Sequence, residues 1–380
     1  MIEKIGHYIH YFSQRKAGLF VLGTVLFLTG MGLIILSSAS LSFIKSEDYF
    51  FKQIVWCLIG IPFFLIGALI DLKFLQKQAS LFLIIFSIGL ALVLIPGIGK
   101  LVNGSRRWIN CCGINVQISE FAKIAILIWL ADYLEKNADH HTSFIKGFFK
   151  PLFIVGVVDL LILMEPDYGT FMLLGAVSFT LLFLSGTPLR YLLLTMSLGI
   201  VGMGTLIYFT PTRMRRITAF LDVEANKLDS AYQLYQGMLG FVSGGLLGRG
   251  LGQGRQQLTY LPEAHTDFIF PIYSEEFGAL LSIATLLLYL VIFWTIAHCA
   301  RRMTSLFAKY LSYGIGLILA YQVIINVGVV TGLLPTKGMV LPFISYGGSN
   351  LVLVFFMIGL LINCMSSEAV LETTEDYPQF

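Results

Sequence analysis

What most limits this chain is a stretch of apolar residues long enough to cross a bilayer, repeated along its whole length. Such stretches fall near 17–38, 51–71, 79–97, 119–134, 150–164, 170–186, 191–209, 268–298, 306–331 and 349–366. Crossing about 30 Å of hydrocarbon takes roughly 20 apolar residues as a helix. Within lipid, a helix is one of only two folds that pair every backbone polar group. The pattern predicts an all-α integral membrane protein with about ten transmembrane helices. Composition agrees: 57% of residues are hydrophobic and 12% charged, against about 25% charged in soluble domains. A single anchor carrying a large soluble domain is excluded. The first stretch is too long for a signal-peptide core and is read as a retained span. Cys57, Cys299 and Cys364 lie in or beside apolar runs, and Cys111 and Cys112 are neighbours, so no disulfide framework is expected. No metal-ligand spacing is visible. The net charge of +3, without a recognition motif, argues against nucleic acid as a partner.

An even number of spans puts both termini on one side. The short connections carry Lys73, Lys77, Lys136, Lys146, Lys150, Arg190, Arg301 and Arg302, which the positive-inside rule assigns to the cytoplasm. Residues 1–366 then form one polytopic membrane domain with a large extracytoplasmic loop at about 210–267. Residues 367–380 form a polar, acidic cytoplasmic tail. The outer face is basic too, at Lys100, Arg106, Arg107, Arg213, Arg215, Arg216, Lys227, Arg249, Arg255 and Lys337. Tolerated surface charge and an anionic ligand both account for that. The loop's glycine-rich run, "SGGLLGRGLGQGRQQ", lacks a Walker lysine and reads as ordinary turn-making.

Five outer motifs could carry chemistry. In "NGSRRWIN", Arg106 and Arg107 sit beside Trp108, a group suited either to an interfacial anchor or to a phosphate. In "QISEFAK", Ser119 is placed to cap the fourth span, while Glu120 and Lys123 share a helical face. Ionisable groups within a span are functional candidates by default. "MEPDYGT" holds Glu165 and Asp167 at membrane depth beside two chain breakers, as either a turn or a site. "TGLLPTKGMVLPFISYGGSN" puts Lys337 in an interrupted, half-apolar segment, tolerated at that depth only against protein or a cavity. "LPEAHTDFIF" aligns Glu263, His265 and Asp267 on one side of an extended chain, or Glu263 and Asp267 on one side of a helix. Asp267 is the last charge before an apolar run. It is either a general base tuned by its boundary position or a carboxylate paired with an arginine.

These motifs, together with "YQLYQGMLGFVSGGLLGRGLGQGRQQLTYLPEAHTDFIF" and "NVGVVTGLLPTKG", lie in order over most of the chain. They resemble the polytopic cell-wall proteins for shape, elongation, division and sporulation, the SEDS family, and the division branch more than the elongation branch. The resemblance implies a GT-C-like bundle in the bacterial cytoplasmic (inner) membrane, at the division septum, acting in peptidoglycan synthesis and cell wall biogenesis. It implies an inverting peptidoglycan glycosyltransferase that polymerises lipid II, a disaccharide-peptide on a polyprenyl diphosphate. Implied partners are a class B penicillin-binding protein transpeptidase and other divisome membrane proteins. By the same likeness Asp267 is the essential acid of the outer loop, and Glu120, Lys123 and Asp167 are polar positions of a central cavity. Arg106, Arg107, Arg213, His265 and Lys337 are candidates for diphosphate or sugar contacts. A divalent cation, magnesium or manganese, is left open as a cofactor. One departure stands out: Ile118 replaces the family's proline before "SE", which removes a fixed backbone angle ahead of Glu120.

The chemistry asks for one carboxylate to take a proton from the attacking sugar hydroxyl and for cations where the diphosphate leaves. Rival readings are a flippase for the lipid-linked precursor, an elongation-type polymerase, and a non-catalytic division scaffold.

Overall fold

The computed structural model describes residues 2–41, 49–102, 105–111, 114–256, 261 and 264–375. Helices run as α1 (Ile2–Leu41), α2 (Tyr49–Leu69), α3 (Leu72–Lys77), α4 (Ala79–Leu94), α5 (Ile118–Lys136), α6 (Lys150–Met164), α7 (Tyr168–Leu184), α8 (Leu189–Tyr208), α9 (Pro211–Leu221), α10 (Tyr232–Gly244), α11 (Ile269–Arg301), α12 (Leu306–Val330) and α13 (Gly348–Glu375). Every apolar stretch in the sequence falls on one of these helices. Among the described residues seven are long and apolar enough to cross a membrane, α6 when joined to the π-helical turn Phe144–Phe149 that leads into it, while α4 and α7 are apolar but shorter. The protein is therefore a multi-pass membrane protein. Helix α13 continues to Glu375, into the segment read as a tail.

Helix α5 is the instructive case. Its charges lower its hydropathy, yet nearly every side chain from Ser119 to Leu134 is buried. It is the central staff of the bundle, packed against α4 and α12. Two helices that touch at glycines, α2 and α13, close another wall: Gly67 lies against the Phe356 carbonyl and Gly359 against that of Phe64. Small residues let backbones approach this closely in lipid.

The fold is not purely helical among its described residues. Strands β1 (Gly99–Val102), β2 (Ser105–Cys111) and β3 (Ile114–Gln117) form an antiparallel sheet, with β2 central, between α4 and α5. An apolar-run search cannot register it, because its strands are only 4, 7 and 4 residues long and mixed in polarity.

Nor is 210–267 a simple loop. It contains α9 and α10, and its glycine-rich run docks on α11 where that helix breaks at Gly278 (φ 82°). Ala279 N donates to the Gly245 carbonyl at 2.9 Å, and buried Glu275 accepts from Arg255 N (3.1 Å) and Gln256 N (3.0 Å). A side chain at Gly278 would strike the Gly248 backbone. The glycines thus let a loop replace the helix's own missing hydrogen-bond partners.

The two ends of the bundle differ. At one, Glu135 of α5 accepts from Gln76 of α3 and from Phe307 N at the start of α12, and Tyr133 donates to the Lys146 carbonyl. These contacts collect the basic short connections. The opposite end holds the sheet, α9, α10 and the turns before α7, α11 and α13.

Candidate functional site

A cavity of about 880 Å³ opens at that second end. Separate parts of the chain wall it: β2 and the start of α5, the α6–α7 turn, α9, the turn before α11, and residues 336–350. Glu120, Lys123, Asp167, Asp267, Lys337 and Arg107 all stand on this wall.

The deepest part is closed on itself. Glu120 and Lys123 are 7% and 2% exposed, and their charged atoms are 2.7 Å apart. Asn350, from the start of α13, donates to Glu120 Oε2 at 2.8 Å. The spacing of three residues on α5 puts both side chains on one face. Ile118 does not disturb this. It occupies the first helical position, which proline favours but does not own, and Lys123 and Asn350 fix Glu120 independently. Ser119 is not the cap. Strand β3 runs directly into α5, so the cap falls on Gln117 (φ −92°, ψ 113°), whose side chain makes no capping bond and instead donates to Ser119 Oγ at 3.0 Å.

Nearer the opening lies a second cluster, around Asp167. This residue caps α7, accepting from Thr170 N (3.4 Å) and Thr170 Oγ1 (2.8 Å). Arg107 and Lys337 lie 3.8 and 3.5 Å from its carboxylate. Arg107 also grips the turn, donating to the carbonyls of Glu165 (3.1 Å) and Pro166 (2.7 Å). Burial would push Asp167 up, but the charges of Arg107 and then Lys337, with the Thr170 bonds, hold it below the ordinary carboxylate value. Lys337 is held below its usual value by burial first; Asp167 opposes that, while Arg107 and Arg216 add to it. Arg213 stacks on the Tyr168 ring at 3.4 Å, and Arg216 repels it. Several cations therefore crowd around one carboxylate, an arrangement that an arriving anion would relieve.

Glu165 sits behind this cluster, with no exposure and no hydrogen-bond partner for either carboxyl oxygen. Burial, with Asp167 adding and Arg107 opposing, pushes it up to about 8.

Asp267 is half-buried, in the turn before α11, and reaches the cavity beside Thr266. Its carbonyl accepts from Asn326 of α12 at 2.9 Å. Gly338 lies so close to Asp267 Oδ2 that any side chain there would collide with it.

Three candidates from the sequence are not brought to the wall. Arg106 alternates with Arg107 along β2, so its side chain leaves the other face of the strand. Arg213 lies over Tyr168, outside the lining. His265 is taken up by an aromatic stack with Tyr49. Glu263 and Cys112 lie outside the described residues, so the proposed alignment of Glu263 with Asp267 does too. Conversely, Asn350, Gln117 and Gln322, and Arg216, which was named only among the basic residues of the outer face, line the cavity without having been site candidates. The first three are uncharged, and nothing in composition or spacing marks them.

No group of three or more His, Cys, Asp or Glu side chains that could hold a metal ion occurs among the described residues. Glu120 and Asp167 are each engaged with cations. Among the described residues, then, no closed set of protein donors would hold a resident metal ion.

Known proteins share the sequence and the fold of this chain. Residues 19–369 match the FtsW/RodA/SpoVE family, described as cell cycle proteins. A probable peptidoglycan glycosyltransferase FtsW from Hahella chejuensis is 39% identical over 364 residues, 94% of this chain and 92% of that one. Its namesake from Methylococcus capsulatus is 40% identical over 368 residues, 93% and 92% of the two chains. Among solved structures, a chain from work on structural coordination of polymerization and crosslinking by a peptidoglycan synthase complex shares the fold. Its TM-score is 0.78 at 23% identity, covering 92% of this chain and 97% of that one. The rod shape determining protein RodA of Thermus thermophilus gives 0.69 at 24% identity, with 91% and 95% covered. The chain belongs to the FtsW/RodA/SpoVE family of cell cycle proteins.

Proposed function

We propose that this protein is a peptidoglycan glycosyltransferase that polymerises lipid II on the outer face of the cytoplasmic membrane during septal wall synthesis. The observation that carries the reading is one cavity holding a half-buried carboxylate, Asp267, and an excess of cations around Asp167. Relatives named as peptidoglycan glycosyltransferases, matched over most of the chain, support it. In this scheme Asp267 accepts the proton of the acceptor sugar hydroxyl as that oxygen attacks the anomeric carbon of the donor. The bond from that carbon to the diphosphate breaks, and the leaving group gains charge where Arg107 and Lys337 stand, with Arg216 on the same wall and Arg213 behind Tyr168. A single displacement inverts the anomeric centre, and no carboxylate nucleophile is required. Glu120, Lys123 and Asn350, neutral as a set, suit the hydroxyls and amides of the sugar.

The basic connections at the opposite end support a cytoplasmic position for that end and an outer one for the cavity; in this reading both termini face the cytoplasm. A class B penicillin-binding protein transpeptidase and other divisome membrane proteins are the proposed partners, supported by the fold shared with a chain of a peptidoglycan synthase complex.

The test combines the purified protein and its transpeptidase partner with lipid II in detergent, and in parallel with labelled lipid II in sealed vesicles. Glycan strands in the first arm, without movement of label in the second, are expected. Transport without polymer would replace the enzyme with a flippase.

A further inference from the structure

His265 is close to Asp267 in sequence but does not share the cavity wall with it. Its ring stacks on Tyr49, with centroids 3.8 Å apart and planes 17° from parallel. Tyr346 meets both rings, at 5.0 Å from Tyr49 and 6.0 Å from His265. The backbone reinforces the cluster, for Tyr346 N donates to the His265 carbonyl at 2.9 Å. One turn along α2 from Tyr49, buried Gln53 donates to the Ser345 carbonyl (3.1 Å) and accepts from Gly347 N (3.4 Å). Tyr346 and Gly347 are themselves part of the cavity wall. The outer end of α2 thus ties together two irregular segments, one carrying Asp267 and the other running on from Lys337. On its far side the first segment is held by Asn326, which bonds the carbonyls of both Asp267 and Met339.

We propose that His265 is a positioning residue for the polymerisation reaction, acting as an aromatic plate between Tyr49 and Tyr346 that fixes the Asp267 turn against the 336–347 segment, and not as a ligand for diphosphate or sugar. The inference rests on the glycosyltransferase reading above. A base that must meet a hydroxyl within hydrogen-bond reach is sensitive to displacement, and a shift of about 1 Å can cost on the order of a hundredfold in rate.

The experiment compares polymerisation of lipid II by the parent, His265→Phe, His265→Ala, Tyr49→Ala and the double alanine variant, each with the transpeptidase partner. Phenylalanine keeps a ring but cannot bond or ionise. His265→Phe should hold kcat within about threefold of the parent with the same pH profile. His265→Ala should lose roughly ten- to a hundredfold in kcat with KM little changed. Tyr49→Ala, which leaves the imidazole in place, should reproduce that loss, and the double variant should be no worse than either single one. If the parent polymerises but His265→Phe is as impaired as His265→Ala, the imidazole itself is needed and the proposal falls. A loss confined to KM, or normal activity of Tyr49→Ala, also overturns it. A parent that makes no polymer would instead sink the enzyme reading.

Discussion

The two charged clusters of the cavity are built on opposite principles. Glu120 and Lys123 form a one-to-one pair, nearly removed from solvent, with Asn350 using a further lone pair of the carboxylate. Around Asp167, one carboxylate serves both Arg107 and Lys337, and Arg216 lies near enough to shift Lys337 further from its usual value. A balanced buried pair gains little more from a ligand and loses heavily when one partner is removed. An under-neutralised cluster tolerates loss of a cation but gains from an arriving anion. The deep pair is therefore a framework that also offers polar contacts, and the outer cluster is where a diphosphate would be held.

That contrast breaks most sharply in stability. Glu120→Gln leaves Lys123 buried without its counter-charge and should cost about 3–5 kcal/mol, read as a fall in thermal midpoint in detergent; the double variant Glu120→Gln with Lys123→Met should recover most of it. Lys337→Met, by contrast, should leave the midpoint almost unmoved while lowering turnover by roughly a hundredfold, as expected for a lost group that stabilises developing charge. If the two variants behaved alike in both assays, the division into framework and ligand cluster would be wrong.

Glu165 sharpens the comparison from behind. Its folded-state value of about 8 lies above its ordinary 4.5. Between those pH values the folded chain keeps a proton that the unfolded chain has lost, so stability falls as pH rises through the window. Glu165→Gln should flatten the slope and be more stable than the parent at pH 8, on the order of 2 kcal/mol. A slope unchanged in the variant would place the titration elsewhere. The smallest effect is expected at Ser119, where alanine removes only the hydrogen bond accepted from Gln117 and should cost about 1 kcal/mol or less. A loss of about 2 kcal/mol, the upper end for a removed cap, would mean that the residue caps α5 after all.

How far these features could be read from the sequence depends on what each one's physics leaves visible. Spans show as long apolar runs, and even α5 shows, because its charges are few and grouped by helical spacing. The separation of charges into two ends of the bundle was legible as well, since basic short connections and a basic outer face are distinct patterns in the chain. Pairing was not. That Asp167 meets Arg107 and Lys337 depends on how β2, the α6–α7 turn and the 336–347 segment fold back on one another, and no spacing encodes a contact between residues that far apart. Arg106 and Arg107 looked equivalent until a strand, too short and mixed in polarity to stand out, put their side chains on opposite faces. His265 carried the chemistry expected of a ligand, while its partners Tyr49 and Tyr346 are distant in sequence and look like membrane-interface aromatics. Glu275 and the glycine-rich run had no visible link, because the donors to the Glu275 carboxylate are backbone amides, of Arg255 and Gln256, which any residue type supplies.

The central claim is that Asp267 removes the proton while other groups hold the substrate. The direct measurement is lipid II binding and glycan formation by Asp267→Asn in the same preparation with its transpeptidase partner. The account predicts binding within a few-fold of the parent and polymerisation slower by at least about a hundredfold. A folded Asp267→Asn protein that polymerises at the parental rate would contradict it.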